Sequence, residues 1–160
     1  MICPKCGGNF HLNESCQKCR TPYSEVIEGI RHDEMKNLFL KIEDLMKHHR
    51  NFDIEESLLA CELANSSFLI PLIIEDNKIG VMSIKDNRNR IYMLLFTDKE
   101  EYDKEVSDIP PRTNSFRLLL DLLEDDMDGF VINIGGVTCE LTRKFLNKYF
   151  LEDIPDDCVS

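Results

Sequence analysis

Residues 91–100 read IYMLLFTDKE, and this stretch organises the predicted fold. Its six apolar residues, 91–96, predict a strand that is buried on both faces and therefore lies at the centre of a sheet. Thr97 and Asp98 then predict the cap of a short helix. They also stand at a strand end, where ligands often bind in α/β sheets, but the helix cap is the favoured interpretation.

The other predicted elements surround this central strand. Residues 68–74 and 79–84 predict a hairpin around a polar turn, and residues 130–133 and 137–141 predict a second one around Gly135-Gly136. Further helices are predicted to begin at Asp33, Asp53, Asn114 and Thr142. Because the elements neither alternate regularly nor belong to one kind, we expect an α+β fold with one mixed sheet of about five strands and packed helices.

The first twenty residues contain two Cys-x-x-Cys pairs. Two residues between paired cysteines let both sulfurs face one ion, and Gly7-Gly8 permits the sharp turn that follows the first pair. Two pairs supply four tetrahedral ligands, which favours structural zinc in a small N-terminal zinc ribbon; iron in a rubredoxin-like site is the alternative. His11, between the pairs, is interpreted as a surface residue. The predicted metal ligands are Cys3, Cys6, Cys16 and Cys19.

The chain as a whole is strongly acidic, but the side chains of residues 1–24 carry a small net positive charge. The formal net charge is -11, whereas residues 1–24 carry three cationic side chains and one acidic side chain. An acidic body repels phosphate backbones, so broad nucleic-acid binding is not expected. Nucleic-acid binding through the ribbon is an alternative, and it predicts an affinity that falls steeply with salt. The cations of the ribbon are Lys5, Lys18 and Arg20.

The length and the apolar pattern suggest where the protein works and how it is divided. No apolar run approaches the roughly 20 residues that span a bilayer, and the first metal knuckle leaves no room for an export signal. We therefore expect a cytoplasmic protein without a membrane segment. The predicted division is a zinc ribbon at 1–24, a linker at 25–33 and a globular domain at 34–160.

Several segments of the body carry a family pattern. They read LLAC at 58–61 leading to FLIPL at 68–72, LFTDKEE at 95–101 and DGFVINIGG at 128–136. In this order they resemble the N-terminal domain of the SseB family, bacterial proteins named for enhanced serine sensitivity, over residues 34–150. The resemblance implies an α+β, cytoplasmic protein and supplies no catalytic residues. Many relatives have Asn-Pro where this chain has Asn133-Ile134.

The body contains no recognisable catalytic motif: there is no Gly-x-Ser-x-Gly elbow, phosphate loop or dinucleotide fingerprint. Glu124, Asp126 and Asp128 match early positions of a calcium loop, but Gly135 stands where that loop requires glutamate. A strong fold pattern without a reaction motif favours a non-catalytic protein-interaction or regulatory module with an unknown protein partner. The rival hypothesis is an enzyme whose active site is assembled from dispersed carboxylates.

Overall fold

The computed structural model describes residue 3 and residues 5–10 and 15–151. His11 and the end of the predicted globular domain, residues 152–160, lie outside the described residues. Within the described part of the chain, no helix is both long enough and apolar enough to cross a membrane. Helices and strands are combined there in an α+β arrangement, as predicted.

The described residues form six α-helices and one π-helical turn. The helices are α1 Tyr23–Gly29, α2 Asp33–Lys47, α3 Asp53–Ala64, α4 Lys99–Glu105, α5 Phe116–Asp121 and α6 Arg143–Leu146, followed by the π-helical turn Asn147–Leu151. The predicted caps at Asp98 and Thr142 are confirmed, since their side chains accept backbone N–H groups three residues on. Helix α3 begins at Asp53 as predicted, but Asp53 and Glu56 do not form the capping box that their spacing suggests. Glu56 Oε1 instead accepts a 2.9 Å hydrogen bond from the Tyr149 hydroxyl.

The structure has two hydrogen-bonded sheets where the sequence predicted one. The strands are β1 Ser67–Glu75, β2 Lys78–Val81, β3 Ser83–Lys85, β4 Ile91–Leu95, β5 Pro111–Ser115, β6 Gly129–Ile132 and β7 Cys139–Thr142. The first sheet is antiparallel with the order β2-β1-β5. The second has the order β3-β4-β6-β7, in which β4 and β6 are parallel and the other pairs are antiparallel.

The two sheets are joined at two points. Met82 N donates to Pro71 O at 2.9 Å in the first sheet, while Met82 O accepts from Leu94 N at 3.0 Å in the second. The predicted strand 79–84 is therefore divided at Met82, where the chain changes its pairing partner. Leu69 and Phe96 form the other junction by exchanging two backbone hydrogen bonds of 2.9 Å.

Strand β5 lies in a segment where the sequence predicted the start of a helix. Its residues read PRTNS and show no apolar alternation, yet they pair with β1 along the register Ser67–Ser115 to Pro71–Pro111. The helix that was predicted to begin at Asn114 begins at Phe116, because Ser115 provides its cap. Pairing with a neighbour, rather than local pattern, defines this strand.

The central strands are buried on both faces, which confirms the prediction for residues 91–96. On β4, Leu94 belongs to one apolar cluster, whereas Met93 and Leu95 belong to the other. Residues of α1, α4 and the ribbon complete the first cluster. Residues of α2, α3, α5 and α6 complete the second. The molecule therefore has helical cover on both sides of its sheet.

The ribbon and the body share the first apolar cluster. The Phe10 ring packs edge-on against Tyr23 with centroids 5.7 Å apart, and Cys16 is buried in the cluster that also contains Leu69. Most of the segment predicted as a linker, residues 25–33, is the helix α1, because its apolar side chains pack into this cluster. The division into a ribbon and a separately folding body is a prediction that truncation tests.

We expect a shortened chain of residues 25–160 to fold cooperatively but to melt at a lower temperature than the intact chain. It lacks Phe10, Cys16 and Tyr23, so the first cluster loses apolar cover worth about 3 kcal/mol. A chain starting at Thr21 keeps Tyr23 and all of α1, and it should fall between the two. Circular dichroism melts measure the difference. Loss of the cooperative transition in residues 25–160 would show that the body cannot fold alone.

Candidate functional site

The two cysteine pairs form knuckles with the same backbone hydrogen bond. In the first knuckle, Gly7 N donates to Cys3 O at 2.8 Å, and in the second, Arg20 N donates to Cys16 O at 2.9 Å. Gly7 and Arg20 both have positive φ angles, of 74° and 62°. Two turns of equal geometry therefore present their sulfurs in the same way, although a glycine occupies this position in only one of them.

One further backbone hydrogen bond closes each knuckle. Cys3 N donates to Gly8 O at 2.6 Å, and Cys16 N donates to Thr21 O at 2.8 Å. Each bond joins the first cysteine of a pair to the residue five positions later. Backbone hydrogen bonds of the same kind therefore close both loops.

The four predicted ligands come together at one place. All four cysteine sulfurs lie within 4.8 Å of one another, with Cys3 Sγ 3.9 Å from Cys19 Sγ and Cys6 Sγ 3.4 Å from Cys16 Sγ. A tetrahedron with metal–sulfur bonds of about 2.3 Å has edges of about 3.8 Å. The four cysteines could thus hold one metal ion. Among the described residues, no other group of cysteine, histidine and acidic side chains meets the same spacing.

The surroundings of the thiols shift the pKa values of Cys19 and Cys6 in opposite directions. Hydrogen bonds from the hydroxyl and amide of Thr21 lower the pKa of Cys19 to about 6. The Gly8 amide also lowers the pKa of Cys6, but burial and the neighbouring sulfurs outweigh it and raise that pKa to about 11. Four thiolates so close together repel one another, and a bound cation is what allows all of them to lose their protons.

Gly8 lies so close to the cysteine sulfurs that a side chain at this position would contact them. A Cβ at this position would lie 2.7 Å from Lys18 Cβ and 2.9 Å from Cys16 Sγ. Its amide also donates a 3.4 Å hydrogen bond to Cys6 Sγ. A side chain at Gly8 would therefore push the two knuckles apart.

The buried polar groups of the body form a separate cluster at the carboxyl ends of the parallel strands β4 and β6. Asn133 Oδ1 accepts from Thr97 N at 2.9 Å, and Asn133 Nδ2 donates to Thr97 Oγ1 at 2.9 Å. Asp98 Oδ1 accepts from Glu101 N at 2.9 Å, which is the predicted helix cap. The sequence missed this cluster because Thr97 and Asn133 are 36 residues apart and only strand pairing brings them together.

Lys36 connects this cluster to helix α2. Its Nζ lies 2.7 Å from Asp98 Oδ2 and 3.2 Å from Glu101 Oε1, and the two carboxylates are almost completely buried. Burial raises the pKa of Asp98, but hydrogen bonds from Lys36 and the Glu101 amide outweigh it and hold that pKa below its usual range. The pKa of Lys36 is raised, because the two carboxylates outweigh the cost of burial. Lys104 Nζ also lies 3.2 Å from Glu101 Oε1, so two ammonium groups face the two buried acids, and Lys36 is the one that contacts both.

Glu101 is the least satisfied member of the cluster. Its side chain is 2% exposed, and its Oε2 has no hydrogen-bond partner among the described residues. Gly136 passes so close to Oε2 that a Cβ there would overlap it. The predicted turn at Gly135-Gly136 thus also needs a glycine for this close approach.

The remaining candidate residues belong to neither of these two clusters. Asp128, considered for a calcium loop, instead accepts a 2.8 Å hydrogen bond from Ile91 N and fixes the start of β4 beside β6. Lys5, Lys18 and Arg20 are exposed on the ribbon, and Lys18 Nζ lies 3.4 Å from Cys6 O. Two surface cavities, one under the β1–β2 hairpin and one beside α1, are lined by neither Asp98 nor Glu101.

Replacing Gly8 by alanine should weaken metal binding, because the added methyl group overlaps Cys16 Sγ and Lys18 Cβ. The matched control is Gly29→Ala, since a Cβ at Gly29 meets no atom within 4 Å. Competition with a chromogenic chelator measures the affinity. We expect Gly8→Ala to release its metal at about tenfold lower chelator concentration than the intact protein. Equal retention by the two variants would contradict the close approach of the knuckles.

Replacing Lys36 by methionine should lower the free energy of unfolding by about 3–5 kcal/mol, because buried Asp98 loses its ion-pair partner and buried Glu101 keeps only the half-exposed Lys104. Lys41→Met is the matched control on the same helix. Lys41 is 63% exposed and 3.4 Å from Glu55, so its loss should cost less than about 1 kcal/mol. Urea denaturation at neutral pH measures both. Similar small losses in the two variants would refute a structural role for the buried pair.

Comparison with known proteins bears on the body of the chain. The family model described as SseB protein N-terminal domain matches residues 43–148, which is more than half of the sequence. No curated protein and no solved structure matches the chain. The matched segment runs from α2 to the π-helical turn, so it includes both sheets and the buried cluster around Asp98. The chain belongs to the family defined by the SseB protein N-terminal domain.

Proposed function

We propose that the protein is a cytoplasmic, zinc-stabilised member of the SseB family and acts as a non-catalytic protein-interaction or regulatory module. The observation that carries the proposal is the convergence of the four cysteine sulfurs within 4.8 Å of one another, beside a body whose buried acids are paired with lysine. In this proposal Cys3, Cys6, Cys16 and Cys19 are the zinc ligands. The zinc holds the ribbon against α1, and the SseB domain supplies the binding surface.

A structural role for the metal is supported by the number and burial of its ligands. Catalytic zinc sites keep one coordination position for water or substrate, whereas four cysteines complete the tetrahedron. Cys3 and Cys16 are buried in the first apolar cluster together with Phe10 and Tyr23. Metal binding thus supports the same side chains that cover the sheet.

Zinc suits this site better than iron for a physical reason. Cys6 and Cys19 are only partly buried, so two of the four ligand residues lie at the surface. An iron centre used for electron transfer depends on a dry, shielded surrounding, whereas zinc has no redox chemistry to protect. The half-open site therefore supports a structural zinc ion.

The burial and the ion pairing of the carboxylates support a binding role rather than a catalytic one. An enzyme with dispersed acids needs them at a cavity, where substrate and water reach them. Asp98 and Glu101 are instead covered and paired with Lys36. Their arrangement fits a structural connection between α2, α4 and the turn after β6.

The metal assignment is tested by elemental analysis of the protein purified without chelator. We expect about one zinc per chain, release of zinc on mild acidification as protons compete for the thiolates, and its loss in Cys16→Ser. Stoichiometric iron, or no metal after gentle purification, would overturn the assignment. The control is Cys61→Ser, which replaces an exposed cysteine and should leave the body intact.

The interaction role is tested by affinity purification from the native cell with the intact chain. We expect a protein partner that binds the purified chain directly in isothermal titration calorimetry and is recovered chemically unchanged. Partner recovery with residues 25–160 shows whether the ribbon takes part. Turnover of the bound molecule into a product would overturn the non-catalytic proposal, as would the lack of any stoichiometric partner.

A further inference from the structure

An apolar groove lies under the three-stranded sheet. It has a volume of about 770 Å³ and is lined by all three strands and by the segment that follows α5. Its apolar lining includes Ile70 and Leu72 of β1, Val81 of β2, Met93 of β4, and Leu122 and Met127. Ile70 and Met93 belong to the second apolar cluster, so the groove is an open continuation of the core.

The β1–β2 hairpin carries the apolar face of the groove out into solvent. Ile74 and Ile79 are cross-strand partners in the hairpin and are 72% and 71% exposed. The turn residues Asp76 and Asn77 both have positive φ, of 49° and 64°, as in the tight turns that match strand twist. The hairpin is therefore a regular, well-defined structure whose tip exposes two isoleucines. Two large apolar side chains exposed side by side at the end of an apolar groove are a candidate interaction surface.

The register keeps these side chains on the groove side. Leu72 pairs with Val81, and Ile74 pairs with Ile79, so the four side chains follow one another on one face of the hairpin. Leu72 and Val81 are partly buried against the core, whereas the two isoleucines lie beyond it. A bound segment that continues the core outward would cover Ile74 and Ile79.

The rim of the groove is acidic on one side. Glu124 lines it, and the next two residues along the chain, Asp125 and Asp126, are exposed as well. Arg112, the cation in the lining, lies over the Tyr23 ring at 5.7 Å, on the side of the ribbon. The segment that follows α5 thus offers acidic side chains to a cationic group.

We propose that this groove binds a segment of another protein that presents two or three large apolar side chains followed by lysine or arginine. The apolar side chains cover Ile74 and Ile79 and enter the groove, and the basic residue lies beside Glu124, Asp125 and Asp126. A second copy of this chain is a poor occupant, because its net charge of -11 opposes close approach of two copies. This inference rests on the proposed interaction function and names the surface and the partner chemistry.

The probe is a displayed library of random 12-residue peptides selected on the purified intact chain. We expect the enriched peptides to combine large apolar residues with lysine or arginine. Fluorescence anisotropy of a labelled enriched peptide then gives its affinity. Enrichment of acidic peptides, of peptides without a shared pattern, or of none above background would overturn the proposal.

Matched variants locate the binding. Ile79→Ser and Ile74→Ser should each weaken the enriched peptide about tenfold, because each removes a large exposed apolar contact. Ile54→Ser on α3 is the control, since Ile54 is 73% exposed and does not line the groove. Both hairpin positions are so exposed that the fold should persist, which thermal melts verify. Equal binding by the control and the hairpin variants would overturn the assignment to this groove.

The charged rim is tested separately. Replacing Glu124 by glutamine and both Asp125 and Asp126 by asparagine should weaken basic peptides severalfold and reduce the salt dependence of their binding. Unchanged affinity and unchanged salt dependence would overturn the role of the rim. Sedimentation that shows dimers abolished by Ile79→Ser would assign the groove to a second copy and overturn the proposal. If a cellular partner binds the intact chain and Ile79→Ser equally, the interaction function stands and the groove assignment fails.

Discussion

The fold depends on covering two joined sheets whose middle strands are apolar on both sides. β1, β4 and β6 each send alternate side chains into two different clusters, so neither face can be left to solvent. The second face obtains its cover from four helices of the body. The first has α4, α1 and the ribbon, including two of the four cysteines. The candidate metal site is thus coupled to the sheet through shared packing, rather than attached at a distance.

The buried ionic cluster supplies hydrogen-bonding partners at the ends of the parallel strands. Where β4 and β6 end, backbone groups must find partners, and Asn133, Thr97 and Asp98 provide them. Lys36 then ties helix α2 to the same point. Burying three charged groups is costly in general and becomes tolerable when they are close and well oriented. This location explains why acids converge in the interior without forming an open catalytic site.

Local patterns in the sequence predicted the features that depend on residues close together in the chain. The cysteine spacing identified the four sulfurs that come together, and the apolar run at 91–96 identified the central strand. Long-range pairing determined what was missed: β5 has the polar sequence PRTNS and is a strand because β1 lies beside it. The division at Met82 depends on two different partner strands in the same way. Lys36 could not be connected to Asp98 without the path of α2 across the sheet.

The parallel pairing of β4 and β6 has a consequence for the order of folding. The cysteine knuckles bring together residues only 16 positions apart, whereas the Thr97–Asn133 contact closes a loop of 36. During synthesis the metal loops and the β1–β2 hairpin can form early, but β4 must wait for β6 to leave the ribosome. Until then the edge of β4 that faces β6 has unpaired backbone groups, and its apolar side chains lack part of their cover. The interval between the synthesis of the two strands is therefore a period in which the nascent chain exposes a site for aggregation.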